Sequence, residues 1–129
     1  MMKKQFLALL VILLLSNIMT TAQNKIEVNS VQSLELIQKN NKIVVLDVRT
    51  PDEFELGHVK GAQNIDIYQQ DFYVKLSKLD KSKIYLVYCR TNRRSGNTVN
   101  FMIQNGFKTV YQMMDGFNGW MANKLPEED

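Results

Sequence analysis

Ile84-Tyr85-Leu86-Val87-Tyr88-Cys89-Arg90-Thr91-Asn92-Arg93-Arg94-Ser95 is the stretch that decides the fold. A continuous apolar run is followed by a short polar loop and then by a helical pattern starting near Ser95, with Val99, Met102 and Ile103 on one face. An apolar run without polar alternation suits a parallel strand covered on both sides. Strand, tight loop and helix would place Cys89 at the carboxyl end of a buried strand, where α/β sheets carry their reactive groups. The free N–H groups of the helix's first turn would point back into the loop. Three of the four arginines (Arg90, Arg93 and Arg94, with Arg49 elsewhere) fall in these few positions, whereas lysine is the cation used everywhere else.

A thiol in that setting is chemically primed. Helix N-termini and nearby cations lower a cysteine pKa from about 8.5 to roughly 3.5–7.5, and the thiolate is the nucleophile. No histidine base is then needed. Guanidinium grips an oxyanion through two parallel hydrogen bonds, which an ammonium does not. The loop reads as a nucleophile in an anion cradle. Two plainer readings compete with it. Cys89 could be a small buried hydrophobe, and the arginines a solvated loop or a nucleic-acid patch. Confinement of the positive charge to one loop argues against nucleic acid. A lone cysteine makes no internal disulfide and excludes a C-x-x-C redox mechanism. With His58 it forms no metal-ligand cluster, so neither metal nor cofactor is expected.

Outward from the loop, 129 residues allow one domain. Residues 1–22 read as a secretory signal peptide: Lys3 and Lys4, the uncharged run from Phe6 to Leu15, then Thr20 and Ala22 as small residues before a cleavage point. The apolar core falls short of the about 20 residues that span a bilayer, so a retained anchor is the weaker reading and no stable membrane insertion is expected after cleavage. Residues 23–129 form the single domain. The net charge of +3 includes Lys3 and Lys4 and implies neither membrane nor nucleic-acid binding.

The pattern along residues 23–129 alternates strands and helices. Ile26 to Val28 reads as a strand, followed by a helix with Ser30 as N-cap and Val31, Leu34 and Ile37 facing inward, ended by Asn40-Asn41. Ile43 to Val48 is a second buried strand. Thr50, Pro51 and Glu53 make a capping box with proline at the first helical position, and Gly57 supplies the left-handed residue that stops that short helix. Asn64 to Ile67 reads as a strand, and Phe72, Leu76 and Leu79 as the apolar face of a helix. Gly106 ends the helix after the cysteine loop. Thr109 to Gln112 is a last strand, and Gly116 to Ala122 a last helix burying Phe117, Trp120 and Met121, before a solvated acidic tail. The expected fold is α/β, with a mostly parallel sheet of about five strands and helices on both faces.

LDVRTPDEFELGHVKGAQNI (Leu46 to Ile65), VYCRTNRRSG (Val87 to Gly96) and VYQMMDGFNGWMANKLP (Val110 to Pro126), taken in order, resemble the single-domain rhodanese-like proteins. The resemblance covers nearly all of residues 26–126. It implies a three-layer fold and a sulfurtransferase, in which Cys89 takes sulfur from a small anionic donor such as thiosulfate and holds it as a persulfide. A thiol, including that of another protein, or a cyanide-like acceptor then removes it. The resemblance further implies that the loop of Arg90, Thr91, Asn92, Arg93, Arg94 and Ser95 cradles sulfur and oxyanion through its main-chain N–H groups, with Arg94 as contact to the donor.

The chain departs from the family pattern at Asn92, where glycine is common, although asparagine tolerates a left-handed turn better than most residues, so the turn can survive. It departs also at Lys60, in place of a proline, and at Asp115, in place of the first glycine of a pair. A cysteine phosphatase of the same fold is the enzymatic alternative, but such sites use C-x5-R, and the sixth position after Cys89 is Ser95. A catalytically silent binding module on this scaffold is the alternative of another class. A Cys-His hydrolase is weaker still, because His58 sits in a turn segment and reads as structural. Asp47 and Arg49, at the end of a central strand, either orient the site or form a buried pair joining strand to helix.

Overall fold

The computed structural model describes residues 25–129; the expected signal segment lies outside them. The element order is β1 (Ile26–Val28), α1 (Ser30–Lys39), β2 (Val44–Asp47), α2 (Pro51–Glu55), β3 (His58–Val59), β4 (Gln63–Asn64), α3 (Phe72–Ser77), β5 (Ile84–Tyr88), α4 (Arg93–Gln104), β6 (Thr109–Met113), α5 (Gly116–Ala122) and β7 (Glu127–Glu128). Five strands form one sheet in the order β1-β6-β5-β2-β4, with every neighbouring pair parallel. A small antiparallel pair, β3 with β7, stands apart from it.

Alternation along the central strands produces three layers. Leu46, Val48, Tyr85, Val87 and Cys89 face one way and pack with Phe72 and Leu76 of α3 and Val99 and Met102 of α4. Val45, Leu86 and Tyr88 face the other way, onto Phe117 and Trp120 of α5 and the partly buried Leu34 and Ile37 of α1. Both faces are therefore dry, which is why these strands read as unbroken apolar runs.

The chain runs from β2 outward to β4, returns to β5, and runs outward again to β6 on the other side. The direction of winding thus reverses between β2 and β5, whose carboxyl ends lie side by side in the register Asp47 to Tyr88. A crevice at such a switch point is where open α/β sheets place their ligands.

Several local expectations shift. Asn29, not Ser30, caps α1, in a reciprocal box with Gln32; the Ser30 hydroxyl donates instead to Asp115 Oδ2 at 2.7 Å. The expected strand from Asn64 to Ile67 shrinks to Gln63–Asn64, although the N–H groups of Ile65 and Ile67 still donate to the carbonyls of Asp47 and Val48. Helix α4 starts at Arg93, two residues early. Val31 and Met121 are exposed at 45% and 48%, because helical spacing marks a face without saying which of its edge positions a neighbour covers. The acidic tail is strand β7, Glu127–Glu128, paired with His58 and Val59. Gly57 does stop α2, but at φ 145°, beyond the left-handed helical value.

Candidate active site

The capping box at Thr50, Pro51 and Glu53 forms as the sequence predicts, with Thr50 Oγ1 accepting from the Glu53 N–H at 3.3 Å. Beyond it, Asp47 and Arg49 make a fully buried pair: Arg49 Nη2 and Nε reach Asp47 Oδ2 at 2.7 and 3.0 Å. Arg49 also donates to the Gly57 carbonyl at 2.8 Å, joining β2 to the end of α2, and its guanidinium lies 4.3 Å from the centre of the Phe117 ring. Tyr88 completes the group by donating to Asp47 Oδ2 at 2.6 Å. Burial first, and the Asp47 charge second, push the Tyr88 phenol far above its ordinary range, so it remains a donor.

Cys89 follows β5 directly and is 1% exposed. It belongs to the apolar cluster of the α3–α4 face, as a structural cysteine would. Its polar contacts are both to Ser95: the N–H donates to Sγ at 3.3 Å, and Oγ lies 3.5 Å from the sulfur. Among the described residues, the N–H groups of residues 90–94 donate to no protein group, the sulfur included, so of the expected cradle only the Ser95 N–H reaches Sγ. Arg90, Thr91, Asn92 and Arg93 are exposed, Arg94 is half-buried and Ser95 is buried. Asn92 sits at φ −145°, so the loop closes without the left-handed turn expected there.

Helix α5 holds the loop from its other side. The N–H groups of Phe117 and Asn118 donate to the carbonyls of Cys89 and Arg90 at 2.8 and 3.1 Å. Gly116, at φ 60°, allows this approach: a Cβ there would collide with the carbonyls of Arg90 and Thr91. Asp115 sits at φ −88°, so it does not need the glycine of the family pattern. The glycine that the geometry requires is the one retained.

Arg94 lies where its fork is already engaged. Its Nη1 and Nη2 donate to Glu53 Oε1 and Oε2 at 2.7 and 3.0 Å. The Arg94 hydrogen bond holds the Glu53 carboxyl at about 2, well below the usual carboxylate range, and the same bond raises Arg94. A cavity of about 260 Å³ opens beside the loop, lined by Arg49, Glu53, Leu56, Arg90, Phe117 and Met121 among others. Arg90 is its exposed cation.

His58 is 6% exposed, with Nδ1 2.9 Å from the Phe54 carbonyl and its ring stacked 3.6 Å from that of Phe54. Its role is structural. Sequence reading missed Gln112, whose amide reaches the loop from β6, and the Glu53–Arg94 pair. An i to i+3 capping signal accounted fully for Glu53, and nothing in a strand pattern marks which polar end residue turns inward.

The model of the rhodanese-like domain matches residues 30–123. The thiosulfate sulfurtransferase GlpE of Coxiella burnetii is 32% identical over 97 residues, which are 75% of this chain and 88% of that protein. Among solved structures, a rhodanese-related protein from Thermoplasma volcanium superposes with a TM-score of 0.70 at 28% identity, covering 80% of this chain and 97% of that one. The polysulfide-sulfur transferase homodimer of Wolinella succinogenes gives a TM-score of 0.69 at 28% identity, covering 81% and 79%. A parallel sheet that delivers one cysteine into an arginine-rich loop at its switch point agrees with these matches, and the chain belongs to the rhodanese-like domain family.

Proposed function

We propose that the protein is a rhodanese-type sulfurtransferase that carries sulfane sulfur on Cys89. The observation that carries this reading is the Ser95 N–H directed at Sγ at 3.3 Å, at the start of a helix that follows an arginine loop. The names of relatives such as the Coxiella burnetii protein support thiosulfate as donor.

In the first step the Cys89 thiolate attacks the outer sulfur of thiosulfate. The new S–S bond forms as the bond within thiosulfate breaks, and its electron pair leaves with sulfite. In the second, a thiolate or cyanide attacks the outer sulfur of the persulfide and Cys89 is regenerated as thiolate. The unengaged loop N–H groups of residues 90–94 hold the anionic end of the donor. Arg90, on the cavity wall, is the first cation that end meets, and Arg94 adds charge from behind Glu53. The sixth position after Cys89 is Ser95 rather than the arginine of a phosphate loop, which favours sulfur over phosphoryl transfer.

The segment from Lys3 to Ala22 supports export, into the periplasm in a Gram-negative cell, where the acceptor is a small nucleophile or a protein thiol. Incubation with thiosulfate should add one sulfur atom to the protein and release one sulfite, both measured on the same sample by mass spectrometry and sulfite assay. Retention of the added sulfur by Cys89→Ala would overturn the assignment.

A further inference from the structure

Gln112 is 1% exposed, and its side-chain oxygen has no hydrogen-bond partner among the described residues. Leaving a buried acceptor without a donor is costly. The other half of the amide is fully engaged. Its Nε2 donates to the Asn92 carbonyl at 2.9 Å and to Ser95 Oγ at 3.0 Å.

The Asn92 carbonyl is thereby oversupplied. It faces three donors: the Gly96 N–H at 2.9 Å, Gln112 Nε2 at 2.9 Å and the Ser95 hydroxyl at 3.2 Å. A carbonyl oxygen has two lone pairs. The longest of the three contacts is the surplus one. Ser95 Oγ has one other acceptor within reach among the described residues, Cys89 Sγ at 3.5 Å.

We infer that Gln112 is a positioning residue for sulfur transfer: by saturating the Asn92 carbonyl it releases the Ser95 hydroxyl proton to turn onto the Cys89 sulfur when that sulfur is negatively charged. When Cys89 is a thiol, its S–H donates to Ser95 Oγ and the Ser95 O–H donates to Asn92. On ionisation the S–H is gone, the Ser95 O–H rotates to Sγ, and Asn92 keeps two donors. One residue, Ser95, then offers the sulfur both its N–H and its O–H. No proton leaves the protein through Gln112, which acts by occupancy alone. The charged groups on the same side of the site are Arg94, next to Ser95 on α4, and its partner Glu53 on α2; neither is hydrogen-bonded to Gln112.

The inference rests on the sulfurtransferase reading, and two readouts separate them. In Gln112→Met, Asn92 is left with two donors, one of them the Ser95 hydroxyl, which stays there. The midpoint of the pH profile for Cys89 alkylation by iodoacetamide should move up by about one pH unit, a tenfold loss of rate below the midpoint. Gln112→Asn, a methylene too short to reach the loop, should shift it equally if Gln112→Met folds poorly. Ser95→Ala should give the same shift, and the Ser95→Ala/Gln112→Met double variant no further one. An unchanged midpoint in both Gln112 variants, or shifts that add in the double variant, would overturn the role of Gln112. Thiosulfate loading of the unaltered protein is read alongside: loading with unmoved midpoints sinks this inference alone, and no loading sinks the sulfurtransferase reading.

Discussion

Glu53 closes a capping box at the start of α2, lines the cavity, and binds both terminal nitrogens of Arg94. It therefore sets how much positive charge the cavity shows to an anion. Glu53→Gln keeps the cap, because glutamine serves in the box as glutamate does, but removes a negative charge from the donor's path. The KM for thiosulfate should fall several-fold with kcat nearly unchanged, and Arg94→Ala should raise it; a KM unmoved by either variant would place both side chains outside the donor's contact. The pair also bears on acid stability. A carboxyl depressed from 4.5 to about 2 contributes stability above pH 4.5 and loses it as pH falls through about 2. Discounted for its partial exposure, the pair contributes about 1 kcal/mol. Acid unfolding profiles of the parent and Glu53→Gln should converge below pH 2.

At the scale of elements, the cysteine loop is fixed from four directions: by β5, by the first turn of α4, by Gln112 of β6, and by the N-terminus of α5. The last is the least visible in a sequence and the most sensitive to a single atom. Gly116→Ala adds a Cβ at φ 60° and drives it into the Arg90 and Thr91 carbonyls. Left-handed strain of about 1 kcal/mol and the collision together should cost more than about 2 kcal/mol and shift the loop. Melting should drop by several degrees, and sulfur loading should drop at least tenfold even at temperatures where the variant is folded. Full loading in a folded Gly116→Ala protein would show that α5 does not hold the loop in its working shape.

For the whole molecule, the β3–β7 pair straps the C-terminus over the α5 side of the sheet. Trp120 Nε1 donates to the Pro126 carbonyl at 2.9 Å, as does the Lys60 N–H at 3.4 Å. The proline of the family pattern at position 60 would lack that donor. Glu128 accepts from the Gly61 N–H at 2.8 Å and sits 3.4 Å from His58 Nε2. Deleting residues 126–129 leaves the buried Trp120 N–H without an acceptor and should lower stability by about 1–3 kcal/mol, read by denaturant melts. Alkylation of Cys89 should be unaffected, since the strap packs away from the loop's sulfur. Equal stability with and without these residues would reduce the strap to a surface ornament.

Signals that act over a few residues were legible. The unbroken run at 84–88 predicts a strand buried on both sides, Thr50 to Glu53 predicts a capped helix, and the arginines around Cys89 mark the loop, because each needs only near neighbours. Where several local choices compete, or a partner lies far along the chain, the sequence is silent. Asn29 caps α1 because the Ser30 hydroxyl is claimed by Asp115, 85 residues away. Arg94 meets Glu53 across 41 residues, and Gln112 meets Ser95 across 17. By itself, then, the sequence determined the layered parallel sheet, the place of the cysteine loop and its family resemblance. Only the tertiary structure decided which charge faces which, which polar side chain is buried beneath the loop, and which glycine admits a second helix, because those depend on packing distances that no spacing along a chain encodes.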